Sequence, residues 1–422
     1  MYKAPRGTSD ILPQEQPYFS YIEQKAIDLC RLYGYLPIET PVFEDAGLFK
    51  RSVGEETDIV DKEMYIFKDK GGSELALRPE GTAPVCRAYI QHGMHNLPQP
   101  VKLYYTASLF RYERPQAGRF RQHHQFGAEA IGDGDPAVDA ELIDMVWKLI
   151  TGLGIGDVVL YMNSIGCPEC RPGYLDQLEK YYGGQTDVMC ADCKTRLVKN
   201  PLRLLDCKNN SCTPLVDQAP KSTEYLCAGC ADHYGSLKRY LELLKVPYTE
   251  NAMLVRGLDY YTKTVFEIQP IEEKGAQVTI AGGGRFDGLI EMLGGKPTPA
   301  IGFAAGIERI MLNLKKQGVP VPEAAGPVVF VAYAGSQAKD RALVITSALR
   351  EYGIAAVQSL SDRSLKAQMR QAAGMKVTYT MIVGEEEIKS NTITVKNMLL
   401  GSQQAVSFAD FSSMLSTIRG GM

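Results

Sequence analysis

No stretch of this 422-residue sequence stays apolar long enough to cross a bilayer. The N-terminus, Met1-Tyr2-Lys3-Ala4-Pro5-Arg6-Gly7, runs into polar and turn-forming residues rather than the apolar core of a secretory leader. A cytoplasmic protein is expected, with no membrane partner. Excess charge of one sign is also missing: the formal net charge is −3, so a nucleic-acid partner has to be held by local basic patches and shape. There are no internal repeats, no low-complexity runs and no Ser/His/Asp or Cys/His constellation.

The chain is too long for one ordinary core, and its 45% hydrophobic and 23% charged residues fit two or three soluble globular domains. Ten cysteines in a small secreted chain would mean disulfides, but here eight of the ten fall between Cys167 and Cys230. That clustering points to metal before disulfides.

From Pro13 to Tyr33 the apolar residues Tyr18, Phe19, Ile22, Ala26, Ile27 and Cys30 recur at helical spacing, with Gly34 as the stop. Tyr35 to Phe43 is strand-like, but Pro37 and Pro41 confine it to an edge or an interrupted strand, and Asp45 to Arg51 reads as helix. Strand-like runs follow at 64–67, 74–77, 101–109, 125–131, 158–163, 265–268 and 277–281. They do not alternate with helices of similar length, so an antiparallel α+β core is expected over a doubly wound sheet. Residues 167–250, rich in cysteine, Lys/Arg and helix formers, read as an insertion, and 317–327 as a linker. Beyond it, strand 328–333, helix 339–352, strand 354–358, a helix with Leu365, Met369 and Ala372 on one face, and strand 378–383 spell a small α/β domain.

Four stretches carry candidate chemistry. Phe110 to Arg121 places Arg111, Arg114, Arg119 and Arg121 around a loop marked by Pro115 and Gly118, a hairpin suited to polyphosphate at its base and nucleic-acid backbone at its tip. Leu254 to Tyr261 reads as an apolar strand interrupted by Arg256, with Tyr260 and Tyr261 on opposite faces. Ala281 to Gly288 is a glycine run after a strand that presents Arg285 and Asp287, and it lacks the Gly-x-x-x-x-Gly-Lys-Ser/Thr pattern of a phosphate loop. Gly302 to Arg309 offers a flat strip for a purine, with Arg309 emerging beyond it. Read singly, each also fits a structural role: a solvated hairpin, a core tyrosine pair, a strand end, close packing of helix on sheet.

In this order the four together resemble the class II aminoacyl-tRNA synthetases, and specifically the histidyl-tRNA synthetase family, over essentially the whole chain. Tyr35 to Phe49, with Glu39-Thr40-Pro41-Val42-Phe43-Glu44, resembles the first class motif, where the strand joins a homodimer interface. The arginine hairpin resembles the second motif and Gly302 to Arg309 the third; the Arg256 and Gly-rich stretches resemble two signatures of the histidine enzyme. The implied fold is a class II antiparallel sheet core over 1–325, interrupted by a helical insertion at 167–250, plus an α/β anticodon-binding domain at 326–422. The implied activity is ligation of L-histidine to tRNA(His) with ATP and Mg²⁺, DNA having no part in it.

The resemblance puts histidine against Glu80, Gly81, Thr82, Arg111, Gln125, Glu129, Arg256, Tyr260 and Tyr261, with Glu129 and Tyr261 reading the imidazole. It puts ATP against Arg111, Glu113, Arg121 and Arg309, and makes Arg256, Arg111 and Arg309 the catalytic cations. It brings tRNA to Arg114, Gln116 and Arg119 and, in the tail, to Arg363, Lys366 and Arg370, whose spacing puts them on one helical face. Two positions depart from the family: Phe286 stands where Tyr is usual, and His123 where Phe is usual.

The resemblance says nothing for the cysteines. Cys167-x2-Cys170, Cys190-x2-Cys193, Cys207-x4-Cys212 and Cys227-x2-Cys230 fit two Cys₄ zinc sites, grouped in sequence as the first two pairs and the last two, with interleaved pairing, reduced thiols and redox disulfides also open. Two rival functions remain: an inactive paralogue serving as regulatory subunit of ATP phosphoribosyltransferase, and a zinc-organised RNA-binding protein. The first typically loses the arginines and the tail that this chain keeps, and the second leaves the four motifs idle.

Overall fold

The computed structural model describes residues 2–54, 57, 59–113, 119–271, 278–323 and 326–411, and the chain divides into two compact units, Met1–Pro322 and Glu323–Met422. In the first, an eight-stranded sheet runs in the order Leu36–Pro37, Val101–Phe110, Gln122–Ile131, Ala300–Gly306, Ala281–Arg285, Thr262–Pro270, Val158–Ser164, Thr249–Glu250. The six central strands are antiparallel, and only the two-residue strands at the edges pair in parallel. The proline-bearing strand sits at an edge, where a missing N–H costs no ladder bond.

Period-two alternation sorts the sheet into two faces. Phe126, Ala128, Ala130, Phe266, Ile268, Ala281, Phe303 and Ala305 turn to one face, against helices Gln16–Leu32, Pro136–Gly152, Ala228–Leu243 and Ile307–Lys316. Their alternates Gln125, Gly127, Glu129, Glu267, Gly282, Gly302 and Ala304 turn to the other. The functional face is thus the polar and small-residue phase of the same strands.

Four expectations are corrected. Ile27 is 41% exposed while Phe19, Ile22, Ala26 and Cys30 carry the buried stripe of the first helix. The strand expected at 277–281 is Ala281–Arg285, so the glycine run is itself the strand, where a Cβ at Gly283 would stand 2.0 Å from the Gly302 carbonyl oxygen. Residues 254–261 form a loop rather than a strand. The Gly302–Gly306 strip is strand, with the helix beginning at Ile307.

The residues from 167 to 250 are mainly helical: Arg171–Gly183, Ala191–Lys199, Thr213–Asp217 and Ala228–Leu243, joined by short 3₁₀ turns. Among the described residues no helix is long and apolar enough to cross a membrane. The second unit holds a five-stranded sheet, ordered Ala356–Gln358, Val329–Tyr333, Tyr379–Val383, Thr392–Asn397, Gln403–Ser407, parallel among the first three strands and antiparallel beyond. The last two strands had no counterpart in the sequence reading. Lys366 and Arg370 lie on helix Leu365–Gly374, but Arg363 precedes its N-cap Ser364, so the three do not share one helical face. The buried side chains of that helix are Gln368 and Ala372.

Candidate functional site

A cleft of about 320 Å³ opens on the polar face of the large sheet, walled by Arg111, Arg256, Arg309, Gln125 and Glu267 and floored by Gly282, Ala304 and Gly306. Arg111 leaves the end of its strand with Nε donating to the Pro79 carbonyl, 2.8 Å. Arg309 projects from the first turn of helix Ile307–Lys316, with Nη1 donating to the Thr279 carbonyl at 2.7 Å. Arg256 pairs with Glu267 and passes over the Tyr261 ring at 5.9 Å. A Cβ at Gly282 would meet Arg256 Nη1 at 2.7 Å, so the glycine lets the guanidinium lie flat on the strand. Burial works against the Arg256 charge, yet Glu267 and Tyr261 together outweigh it and hold the guanidinium above its ordinary range.

Beyond Arg256, whose guanidinium passes over the Tyr261 ring, is a buried cluster of Glu80, Thr82, Tyr105, Glu129, Tyr260 and Tyr261. Glu80 caps the start of helix Thr82–Gln91, accepting from the amides of Thr82 and Ala83 at 2.7 and 2.8 Å. Thr82 Oγ1 donates to Glu129 Oε1 at 2.8 Å, and the Tyr105 hydroxyl approaches the same oxygen at 3.4 Å. Glu129 Oε2 is buried and accepts no hydrogen bond from a described residue. Burial pushes both carboxyls above their ordinary range; hydrogen bonds from Thr82 oppose this, and for Glu129 the neighbouring Glu80 charge adds to it. The two tyrosine rings were expected on opposite faces, but the loop places them together, 4.7 Å between centroids. Glycine makes the room: a Cβ at Gly81 or Gly127 would stand 2.4 Å from the Tyr105 ring, and one at Gly302 only 1.5 Å from Glu129 Oε2.

The hairpin feet are held by Arg111 N donating to the Arg121 carbonyl, 2.9 Å. Glu113 and Arg119 line the cleft, with Arg119 Nε 3.0 Å from Glu113 Oε2. Arg121 is not among the lining residues: its guanidinium stacks on Tyr112 at 3.8 Å. Arg114 and Gln116 lie outside the described residues. His123 lines the cleft, and burial, followed by the charges of Arg111 and Arg309, lowers its pKa from 6.5 to about 3. Arg285 is not presented to a ligand; it is fully buried, bonded to Asp139 at 2.7 Å and Asp287 at 2.9 Å. Phe286 packs edge-on to Tyr260, 5.7 Å away.

Sequence reasoning missed Tyr105 and Glu267. Each had a signal: an aromatic opposite a glycine, and an acid inside the apolar run Val265–Ile268.

The eight cysteines form two groups, but not in sequential order. Cys167 and Cys170 join Cys227 and Cys230, and Cys190 and Cys193 join Cys207 and Cys212, each set with all four sulfurs within 4.8 Å. The physical reason is the chain path. The first and fourth pairs flank the segment that carries the other four cysteines, so the outer group joins the two ends of that segment and the inner group lies within it. Separations of 3.7 Å (Cys167–Cys170), 3.9 Å (Cys167–Cys227), 3.8 Å (Cys170–Cys230) and 3.9 Å (Cys190–Cys207) match the roughly 3.8 Å edge of a tetrahedron with ligands about 2.3 Å from zinc, not the roughly 2.0 Å of a disulfide. All ten cysteines are unbridged. Backbone amides donate to these sulfurs, Cys167 N to Cys170 and Cys190 N to Cys212 at 3.3 Å each. Burial raises the thiols of Cys193, Cys207 and Cys230, whereas at Cys167 and Cys212 hydrogen bonds from backbone amides and neighbouring side chains together outweigh burial and bring both to about 7.

An antiparallel sheet presenting a triple-arginine cleft, with a proline strand at its edge and a glycine strip leading to the last arginine, is the catalytic fold of a class II aminoacyl-tRNA synthetase. The histidyl-tRNA synthetase family model matches residues 7–168 and 213–310, and an anticodon binding domain matches 328–418. The chain is 56% identical over 406 residues, 96% of this chain and 97% of the relative, to a histidine–tRNA ligase of Dehalococcoides mccartyi. It is 49% identical over 402 residues, 95% and 94%, to that of Pelotomaculum thermopropionicum. The solved apo histidyl-tRNA synthetase of S. aureus superposes with a TM-score of 0.83 at 38% identity, covering 99% of this chain and 100% of that one. The chain belongs to the histidyl-tRNA synthetase family. Residues 169–212, which carry five of the clustered cysteines, fall between the two matched blocks.

Proposed function

We propose that the cleft and the buried cluster beside it ligate L-histidine to tRNA(His), activating it with MgATP to the adenylate and then passing it to the 3′ end. The observation that carries the specificity is Glu129: a buried carboxylate with one oxygen held by Thr82 and the other accepting nothing from the described protein groups. With Tyr261 it reads both imidazole nitrogens, and Glu80 and Gln125 take the ammonium. A ligand offering only one bond leaves a buried partner unpaired and is rejected.

Arg256 stabilises the charge that develops on the α-phosphate as the histidine carboxylate attacks, Arg111 and Arg309 grip the α- and γ-phosphates, and Glu113 contacts the adenine amino group. Arg119, with Arg114 and Gln116 of the hairpin, takes the acceptor end of the tRNA; Lys366, Arg370 and Arg363 take the anticodon end. We assign no ATP contact to Arg121 beyond fixing the hairpin through Tyr112. The regulatory-paralogue reading is not favoured, because it would leave this arginine set without a task. The exposed Leu36, Val42 and Phe43 around the edge strand form the surface on which two chains pair, and light scattering should give twice the chain mass. Pyrophosphate exchange with each amino acid in turn tests the main reading: exchange with histidine alone supports it, and exchange with another amino acid in preference overturns it.

The two cysteine groups are structural Zn²⁺ sites. Four sulfurs each leave no open position for substrate, so the metal does not act on the reaction itself. Elemental analysis of protein purified without chelator should find about two zinc per chain, from four ligands per structural site.

A further inference from the structure

The loop Arg256–Tyr261 carries the proposed catalytic arginine and the imidazole-reading tyrosine, yet it has no strand ladder to fix it. Part of its support comes from the cysteine-rich segment. Arg171 directly follows Cys170, and its guanidinium turns inward: Nε donates to the Ile165 carbonyl at 3.2 Å, and Nη2 donates to the carbonyls of Gly166 at 3.1 Å and Tyr261 at 2.6 Å. Gly166 in turn lies against the outer sulfur group, where a Cβ would stand 2.8 Å from Cys170 Sγ. At the other end of the loop, on the segment between Cys193 and Cys207, Asn200 Nδ2 donates to Asp259 Oδ1 at 2.8 Å and Arg203 Nη1 reaches the Gly257 carbonyl at 3.5 Å.

We propose that Arg171 is a positioning residue for histidine recognition: held by the outer Cys₄ site, it fixes the Tyr261 carbonyl, and so couples metal content to the affinity for histidine. The proposal rests on the zinc reading above. A tetrathiolate around Zn²⁺ carries a net charge of about −2, which orients the guanidinium beside it and keeps the turn Ile165–Cys170 closed. One planar fork then bridges that turn to the tyrosine, a geometry that lysine cannot reproduce. The effect falls on amino-acid binding, because Tyr261 reads the side chain, whereas Arg256 at the far end of the loop is held by its own ion pair to Glu267 and the phosphate-gripping Arg111 and Arg309 stand outside the loop.

The test uses the full chain, with zinc content and pyrophosphate-exchange constants measured on the same preparations. Arg171→Lys should keep two zinc per chain, raise the histidine KM roughly tenfold, the worth of one charged hydrogen bond, and leave the ATP KM within about twofold. Cys227→Ser should lose one zinc and show the same selective rise, and the double variant should be no worse than either alone. A zinc-loaded Arg171→Lys enzyme with an unchanged histidine KM overturns the coupling while leaving the zinc sites standing. Wild-type protein with zinc well below one equivalent overturns the zinc reading and the coupling with it. If these variants do not fold, graded chelation of wild-type enzyme replaces them: histidine KM rising in step with zinc release supports the proposal, and KM constant during release refutes it.

Discussion

Gly302→Ala adds a single methyl group and tests the specificity pocket more sharply than removing a charge does. Gly302 faces Glu129 across the ladder, and a Cβ there would lie 1.5 Å from Oε2, 2.6 Å from Cδ and 2.9 Å from the Ala128 carbonyl oxygen. Since real Cβ contacts essentially never fall below 3.0 Å, the carboxylate must retreat by about 1.5 Å. That movement breaks the 2.8 Å bond from Thr82 and takes Oε2 away from the position proposed for an imidazole N–H. One to two hydrogen bonds to a buried carboxyl, at about 1.5 kcal/mol each, correspond to a histidine KM raised by roughly 10- to 150-fold. Overpacking costs the fold about 1–3 kcal/mol as well, so thermal unfolding is followed on the same sample. The assay is histidine-dependent pyrophosphate exchange with both KM values measured. A folded Gly302→Ala enzyme whose histidine KM moves less than twofold would refute the placement of imidazole on Glu129.

Arg256→Ala should lower the exchange kcat by roughly 10²–10³, the scale of one lost charge-stabilising group, while calorimetric histidine binding weakens far less; an unchanged kcat removes Arg256 from its role. Removing residues 328–422, which belong to a separate compact unit, should leave adenylate formation intact and impair tRNA charging, so equal loss in both assays would make the tail structural. His123 is held down at about 3 against an ordinary 6.5 by burial and two arginine charges. The unfolded chain therefore takes up a proton that the folded chain refuses between those values, and this residue's share of stability is full above about 6.5 and drains as pH falls. His123→Phe should flatten the fall of Tm below pH 6.5, and curves that stay parallel to wild type would sink the assignment.

What the sequence disclosed follows from how far each signal had to reach along the chain. Strand alternation is local, so 101–109, 125–131 and 158–163 were readable within a few residues, and the prolines at 37 and 41 announced an edge that a central strand could not tolerate. The glycine strand 281–285 contradicts its own propensity, and it exists because its neighbours on both sides leave no room for side chains. Tyr260 and Tyr261 misled for a related reason: alternation applies only in a strand, and here the chain turns. Arg285 shows the limit for charge, since nothing local distinguishes an arginine that meets substrate from one that Asp139, 146 positions away, draws into the core. The cysteines show the same limit for metal. Spacing within each pair singled out the candidate ligands, but which pairs meet depends on where the cysteine-rich segment leaves and re-enters the core, a property of the closed fold that no window of sequence contains. Arg171 was invisible on all these counts, because its distinguishing feature is the carbonyl of a residue ninety positions away, and only the fold brings the two together.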